Sequence, residues 1–168
     1  HDRQFLFKFA KDRNRYRRPI VCANYKYPWV IFDRHTYEKG SWVLHMLRRE
    51  LGDPLWWKSI KHYLEKFRNQ SVETSDFIGA IEEVSGRNMK PFFDQWVFRS
   101  GYPRFRVHYQ WDQKSRKASL WVLQTQHTSD ESPLFTVKVD FRFTGRGWIK
   151  NYTETLSEKE HHFTYPLR

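Results

Sequence analysis

The sequence predicts an α+β fold in which an N-terminal helical layer of about four helices precedes an antiparallel β-sandwich. Three observations carry that reading. The apolar period is helical from Thr36 to Gly101 and switches to alternation after Tyr102-Pro103. Glycine, proline and short polar clusters punctuate the apolar segments, as element ends require. Hydrophobic residues make up 39% of the 168 and aromatics 18%, with eight Trp, a load that suits a packed core and not a disordered chain.

Residues 1–35 form an irregular basic lead-in, rich in aromatics and broken by Pro19 and Pro28. Phe5, Phe7 and Phe9 alternate with Leu6 and Lys8, which suits a short strand or a helix start equally. The aromatics Phe5, Phe9, Tyr16, Tyr25, Tyr27 and Trp29 have no period of their own, so this stretch is expected to pack against another part of the protein. From Thr36 an apolar stripe of Val43, Leu44, Leu47 and Leu51 marks the first helix, with Thr36 placed to cap it and Gly52 to end it. Asp53-Pro54 opens a second helix, with Asp53 as its cap and a stripe of Trp56, Ile60, Tyr63, Leu64 and Phe67. A third runs from near Thr74 to Gly86 with Phe77, Ile78, Ile81 and Val84. A short fourth carries Met89, Phe92, Phe93, Trp96 and Val97.

Alternation then takes over. Phe105, Val107 and Tyr109 mark one strand, and Leu120, Val122 and Gln124 one face of a second. Val137, Val139, Phe141 and Phe143 mark a third, and Trp148-Ile149 and His162 to Tyr165 two more. Turn residues fall between them at Asp112 to Lys114, Ser129 to Pro133 and Gly145-Arg146-Gly147. We therefore place a helical unit over 1–101 and a sandwich over 102–168, the chain stopping about where one more strand is expected.

The net charge is +11 and unevenly spread. Residues 1–35 hold nine Lys or Arg against three Asp or Glu, residues 36–101 ten against nine, and residues 102–168 eleven against seven. The densest cluster is Lys11, Arg13, Arg15, Arg17 and Arg18, with Tyr16 among them. Basic residues beside an aromatic suit single-stranded nucleic acid. No recognition motif accompanies the charge, so it reads as a solvated loop or a patch against another part of the protein, and nucleic acid is not the expected partner. No apolar run reaches the roughly 20 residues that span a bilayer, and the first residues lack a signal-peptide pattern. The single cysteine, Cys22, rules out an internal disulfide and suits a reducing compartment, so a cytoplasmic location is expected.

Eight histidines call for a metal check. There is no His-Glu-x-x-His, and no two histidines stand three or four apart on a helix. His45 and His62 belong to different helices, and the neighbours His161 and His162 point to opposite faces of a strand. Catalytic zinc needs three converging protein ligands, so no metal is expected in this chain, and each histidine reads as a surface or supporting residue. Nucleophile elbows, phosphate loops and dinucleotide fingerprints are absent too.

One stretch is more specific. His35-Thr36-Tyr37-Glu38-Lys39-Gly40, then Ser41 to Arg48, then Leu51-Gly52, resembles the tyrosine-bearing helix of the aminopeptidase N and leukotriene A hydrolase family of zinc metallopeptidases. Thr74 to Gly86, Phe92-Phe93-Asp94-Gln95-Trp96 and Gly101-Tyr102-Pro103 extend the resemblance, which covers about residues 30–110. In that family the tyrosine matching Tyr37 donates a hydrogen bond to the oxyanion formed as water attacks the peptide carbonyl. A phenol suits the task, since it is protonated at neutral pH and donates without carrying charge. Glu38 and Lys39 read as charges at a helix start.

The resemblance implies a parent hydrolase that removes N-terminal residues from peptides, with zinc as its cofactor. The family's His-Glu-x-x-His helix, third zinc-ligating Glu and amine-binding acidic motif precede the tyrosine and do not occur here. The implied picture is the C-terminal part of a peptidase catalytic domain plus most of the following sandwich. It is inactive alone, its partner is the remaining zinc-binding half, and its substrate is a peptide. The alternative from another class is a non-catalytic peptidase-like scaffold or interaction module that binds protein or nucleic acid.

Overall fold

Val43, Leu47 and Leu51 are spaced four apart on helix α1, Gly40–Leu51, and all three are buried. The computed structural model describes residues 18–130 and 132–167, so the expectations for Phe5, Phe7, Phe9, Tyr16 and the cluster Lys11 to Arg17 lie outside the described residues. Leu44, expected in the same stripe, is instead 43% exposed, because one residue of helical rotation carries it off the buried side. Leu47, wholly buried, carries a corresponding prediction. Leu47→Ala is expected to cost about 2–5 kcal/mol in urea unfolding of the chain, and Leu44→Ala within about 0.5. Equal losses at the two positions would contradict this packing.

Gly52 takes φ 79°, which lets α1 end and α2, Asp53–Lys66, begin in a new direction without a linker. Asp53 does not cap α2 as expected. It is the first helical residue, and its carboxylate accepts from Arg48 Nε at 2.8 Å and Nη2 at 3.0 Å. Trp56 and Ser59 are the buried residues of α2, with Ile60, Tyr63 and Phe67 half-buried. Leu64 is exposed, since about 80° of helical rotation separates it from Trp56. Helix α3, Thr74–Ser85, starts where the Glu73 backbone N–H donates to the Asp76 carboxylate at 2.8 Å. It buries Ala80 and Ile81 and packs on α2 through Tyr63 and Phe77, whose rings meet edge-on at 5.0 Å. Phe77 in turn meets Phe93 of the short helix α4, Lys90–Phe93, which runs on as a π-turn over Asp94–Phe98. Met89, Phe93, Trp96 and Val97 are buried there.

The chain divides after Ser100 into two compact units. In the second, β1 (Phe105–Asp112), β2 (Lys117–Gln124) and β5 (Glu160–Pro166) form an antiparallel sheet in the order β1-β2-β5. A separate antiparallel pair joins β3 (Val137–Gly145) to β4 (Trp148–Leu156). Ala118, Leu120, Tyr165 and Leu167 make the buried core between them, and Phe141, Phe143, Trp148, Tyr152 and Phe163 pack onto it. The Tyr165 hydroxyl donates to Glu154 at 3.0 Å and ties the two sheets together. Phe105, Val107 and Tyr109 do line one face of β1, but they are exposed, as is every residue along that strand. The α+β class, a helical layer followed by antiparallel sheets, is therefore as the sequence predicts. No helix among the described residues is long and apolar enough to cross a membrane.

Candidate active site

Tyr37 lies on a single π-turn, His35–Lys39, that leads directly into α1. The turn is closed by the Lys39 backbone N–H donating to the Arg34 carbonyl at 2.9 Å, one residue longer than an α-helical bond. Its opening N–H groups need a partner, and Asp33 supplies it: Oδ1 accepts from the His35 N–H at 2.9 Å and the Thr36 N–H at 3.1 Å. Thr36, expected as the cap, instead donates its hydroxyl to the Ile31 carbonyl at 2.6 Å. The Ser41 hydroxyl donates to the Tyr37 carbonyl at 2.7 Å and closes the turn from the helix side.

Beneath the turn sits an ion pair. Arg18 donates through Nε and Nη2 to the two oxygens of Asp33, and both side chains are about 10% exposed. The rest of the guanidinium is spent on the carbonyls of Pro19, Ile20 and Ile31 and on the Thr36 hydroxyl. Arg18, read from sequence as part of a basic cluster on a solvated loop or against another part of the protein, is thus a structural cation. Lys39 and His35 are likewise buried, where the sequence suggested a helix-start charge and a surface or supporting histidine. Lys39 Nζ donates to the Arg99 carbonyl at 3.2 Å, tying the turn to the end of the unit. His35 Nδ1 stands 3.4 Å from Asp33, and burial holds its imidazole below the ordinary histidine value despite that carboxylate.

Burial, with the nearby Arg18 charge adding to it, brings the Lys39 ammonium from 10.5 down to about 8. The folded chain therefore releases this proton before the unfolded chain does, and between those two values the unfolded chain binds more protons. Stability contributed by this site rises as pH climbs from about 8 toward 10. Comparing urea unfolding of the chain with that of Lys39→Met across this window is expected to show a rise that the variant lacks. Parallel curves would contradict it.

Tyr37 itself is 56% exposed. Its ring has Phe32 as a neighbour at 6.2 Å, and no hydrogen bond of its hydroxyl to a described residue is found. The arrangement is an exposed phenol on a turn whose backbone is held from below. Sequence reasoning singled out Tyr37 as its candidate and did not foresee the Asp33–Arg18 pair beneath it or the burial of Lys39. An Asp two residues ahead of His35 was a readable cap signal. His45 and His62 stand on separate helices, and His62 is held by Glu83 at 2.7 Å. His161 accepts from the Ser157 and Glu158 N–H groups, while His162 stacks on Trp121 across the other face. Among the described residues no three His, Cys, Asp or Glu side chains gather as a metal ion needs.

The sequence profile of the Peptidase family M1 domain matches residues 3–96, over half of the chain. The chain belongs to peptidase family M1. The chain is 36% identical over 99 residues to Aminopeptidase M1-A of Oryza sativa subsp. japonica, covering 59% of this chain and 11% of the relative. It is 42% identical over 68 residues to Aminopeptidase N of Lactococcus lactis subsp. lactis (40% of this chain, 8% of the relative). It is 37% identical over 78 residues to human Glutamyl aminopeptidase (46% and 8%). The M1 chain thus spans about a tenth of the length of these relatives. Its fold is shared with the crystal structure of Legionella pneumophila aminopeptidase A in complex with aspartic acid, at a TM-score of 0.69 and 16% identity over 89% of this chain and 17% of that one.

Proposed function

We propose that this M1 chain supplies the oxyanion-donating tyrosine, Tyr37, to a zinc-dependent aminopeptidase that hydrolyses N-terminal residues from peptides. The observation that carries the reading is the placement of Tyr37, an exposed phenol on a turn braced from beneath, in a chain whose relatives are aminopeptidases. As water adds to the scissile carbonyl, negative charge grows on its oxygen, and a fixed neutral donor there lowers the barrier. Tyr37 holds its own proton throughout and lends it as a hydrogen bond.

Zinc would polarise that carbonyl and activate the water. The described residues offer no ligand set for it, so the metal would be held by polypeptide outside them. An exposed apolar patch supports the reading that another half of the protein packs here. Tyr25, Tyr27, Trp29 and Phe32 form an exposed aromatic run just ahead of the turn, with Trp29 at 67% and Phe32 at 70% exposure. Tyr27 and Trp29 stack at 4.6 Å, and such apolar patches commonly mark an interface. The free thiol of Cys22 suits a reducing compartment, in keeping with a cytoplasmic protein.

The test is hydrolysis of a panel of aminoacyl p-nitroanilides by the full-length protein. Activity is expected, lost with a chelator and restored by zinc. A zinc-replete protein inert toward the whole panel would overturn the reading in favour of a non-catalytic scaffold.

A further inference from the structure

We infer that Arg18 and Asp33 are positioning residues that aim the Tyr37 hydroxyl, an inference that rests on the catalytic reading of Tyr37 given above. The Tyr37 ring is more than half exposed and has Phe32 as its aromatic neighbour, so few contacts of its own steer it. Its direction is set by the backbone of the turn, and one carboxylate holds the opening of that backbone. Asp33 Oδ1 accepts the N–H groups of His35 and Thr36, the two residues immediately before Tyr37. The Asp33 carbonyl accepts the Tyr37 N–H itself at 3.2 Å.

Arg18 fixes Asp33 in turn. Its guanidinium makes six contacts: two to the Asp33 carboxylate, one each to the Pro19, Ile20 and Ile31 carbonyls, and one to the Thr36 hydroxyl. That hydroxyl in turn donates a hydrogen bond to the Ile31 carbonyl, so the stretch of chain before the turn and the turn itself share one planar cation. Lysine keeps the charge but lacks the fork, and cannot fill these positions at once. Fifteen residues separate Arg18 from Asp33, so the pair also ties the lead-in to the turn. A misplacement of about 1 Å caused by a mutation away from the chemistry can cost up to roughly 10²-fold in rate, which bounds what a loosened turn can do.

The test is a double-mutant cycle on the full-length protein. Arg18→Lys and the milder Thr36→Val are each made with Tyr37 present and again with Tyr37→Phe, and kcat, KM and melting temperature are recorded. With Tyr37 present, Arg18→Lys is expected to lower kcat about tenfold or more with KM little changed, and Thr36→Val to lower it a few-fold. In the Tyr37→Phe background neither substitution should lower kcat further, since no hydroxyl remains to be aimed. Equal falls in both backgrounds, or a lower melting temperature with unchanged kcat, would overturn the positioning role. The Tyr37→Phe protein measured alone reports on the catalytic reading separately. If Arg18→Lys does not fold, Thr36→Val, which keeps the side-chain shape, decides the question.

Discussion

Tyr37→Phe in the full-length protein is expected to lower kcat by roughly 10²–10³, the usual cost of removing one oxyanion donor. KM should stay near its original value, because the hydrogen bond strengthens only as charge develops in the transition state. Stability should barely move. The Tyr37 side chain is largely exposed, so losing its hydroxyl strands no buried partner, and such changes stay within about 0.5 kcal/mol. A tyrosine with a purely structural role gives the reverse pattern, a lower melting temperature with near-normal turnover per folded molecule. Steady-state kinetics and thermal unfolding on the same variant separate the two, and full activity in the Phe protein would end the catalytic assignment.

Phe135→Ala is expected to give the largest loss of stability in the second unit, about 3–5 kcal/mol. Phe135 is 1% exposed although it stands in the connection between β2 and β3, outside any strand. Its backbone is nevertheless held as a strand residue would be. The buried Gln124 amide donates to the Phe135 carbonyl at 2.8 Å, and its oxygen accepts the Phe135 N–H at 3.1 Å. With the backbone pinned in this way, the neighbours cannot collapse into the space the ring vacates, and the full cavity cost is felt. Ile149→Ala, at a position 64% exposed, should cost under about 0.5 kcal/mol and serves as the control. Urea unfolding of the chain measures both. A Phe135→Ala loss below about 1 kcal/mol would mean that the site relaxes freely.

Much of the fold was legible because helices and strands write their pattern locally. Val43, Leu47 and Leu51 repeat within one helix, and Val137 to Phe143 alternate within one strand, so their elements could be read without knowing their neighbours. Burial was less legible. Leu44 and Leu64 looked like core and are exposed, while Lys39 looked like a surface charge and is buried. The π-turn accounts for part of this: its bond from Lys39 to Arg34 inserts one residue, so the phase of α1 cannot be projected back through it. The alternation along β1 was read correctly, yet a strand can alternate and still be open along both faces.

The amino-acid order by itself determined the element types, the family resemblance and the choice of Tyr37, since each rests on residues close together in the chain. What only the tertiary structure decided is how Tyr37 is held. Asp33 and Arg18 are 15 residues apart, and Lys39 and the Arg99 carbonyl 60 apart. No periodicity connects such positions. They meet because a desolvated charge must find a partner or a carbonyl wherever the folded chain offers one, and that requirement acts through space and leaves no spacing in the sequence.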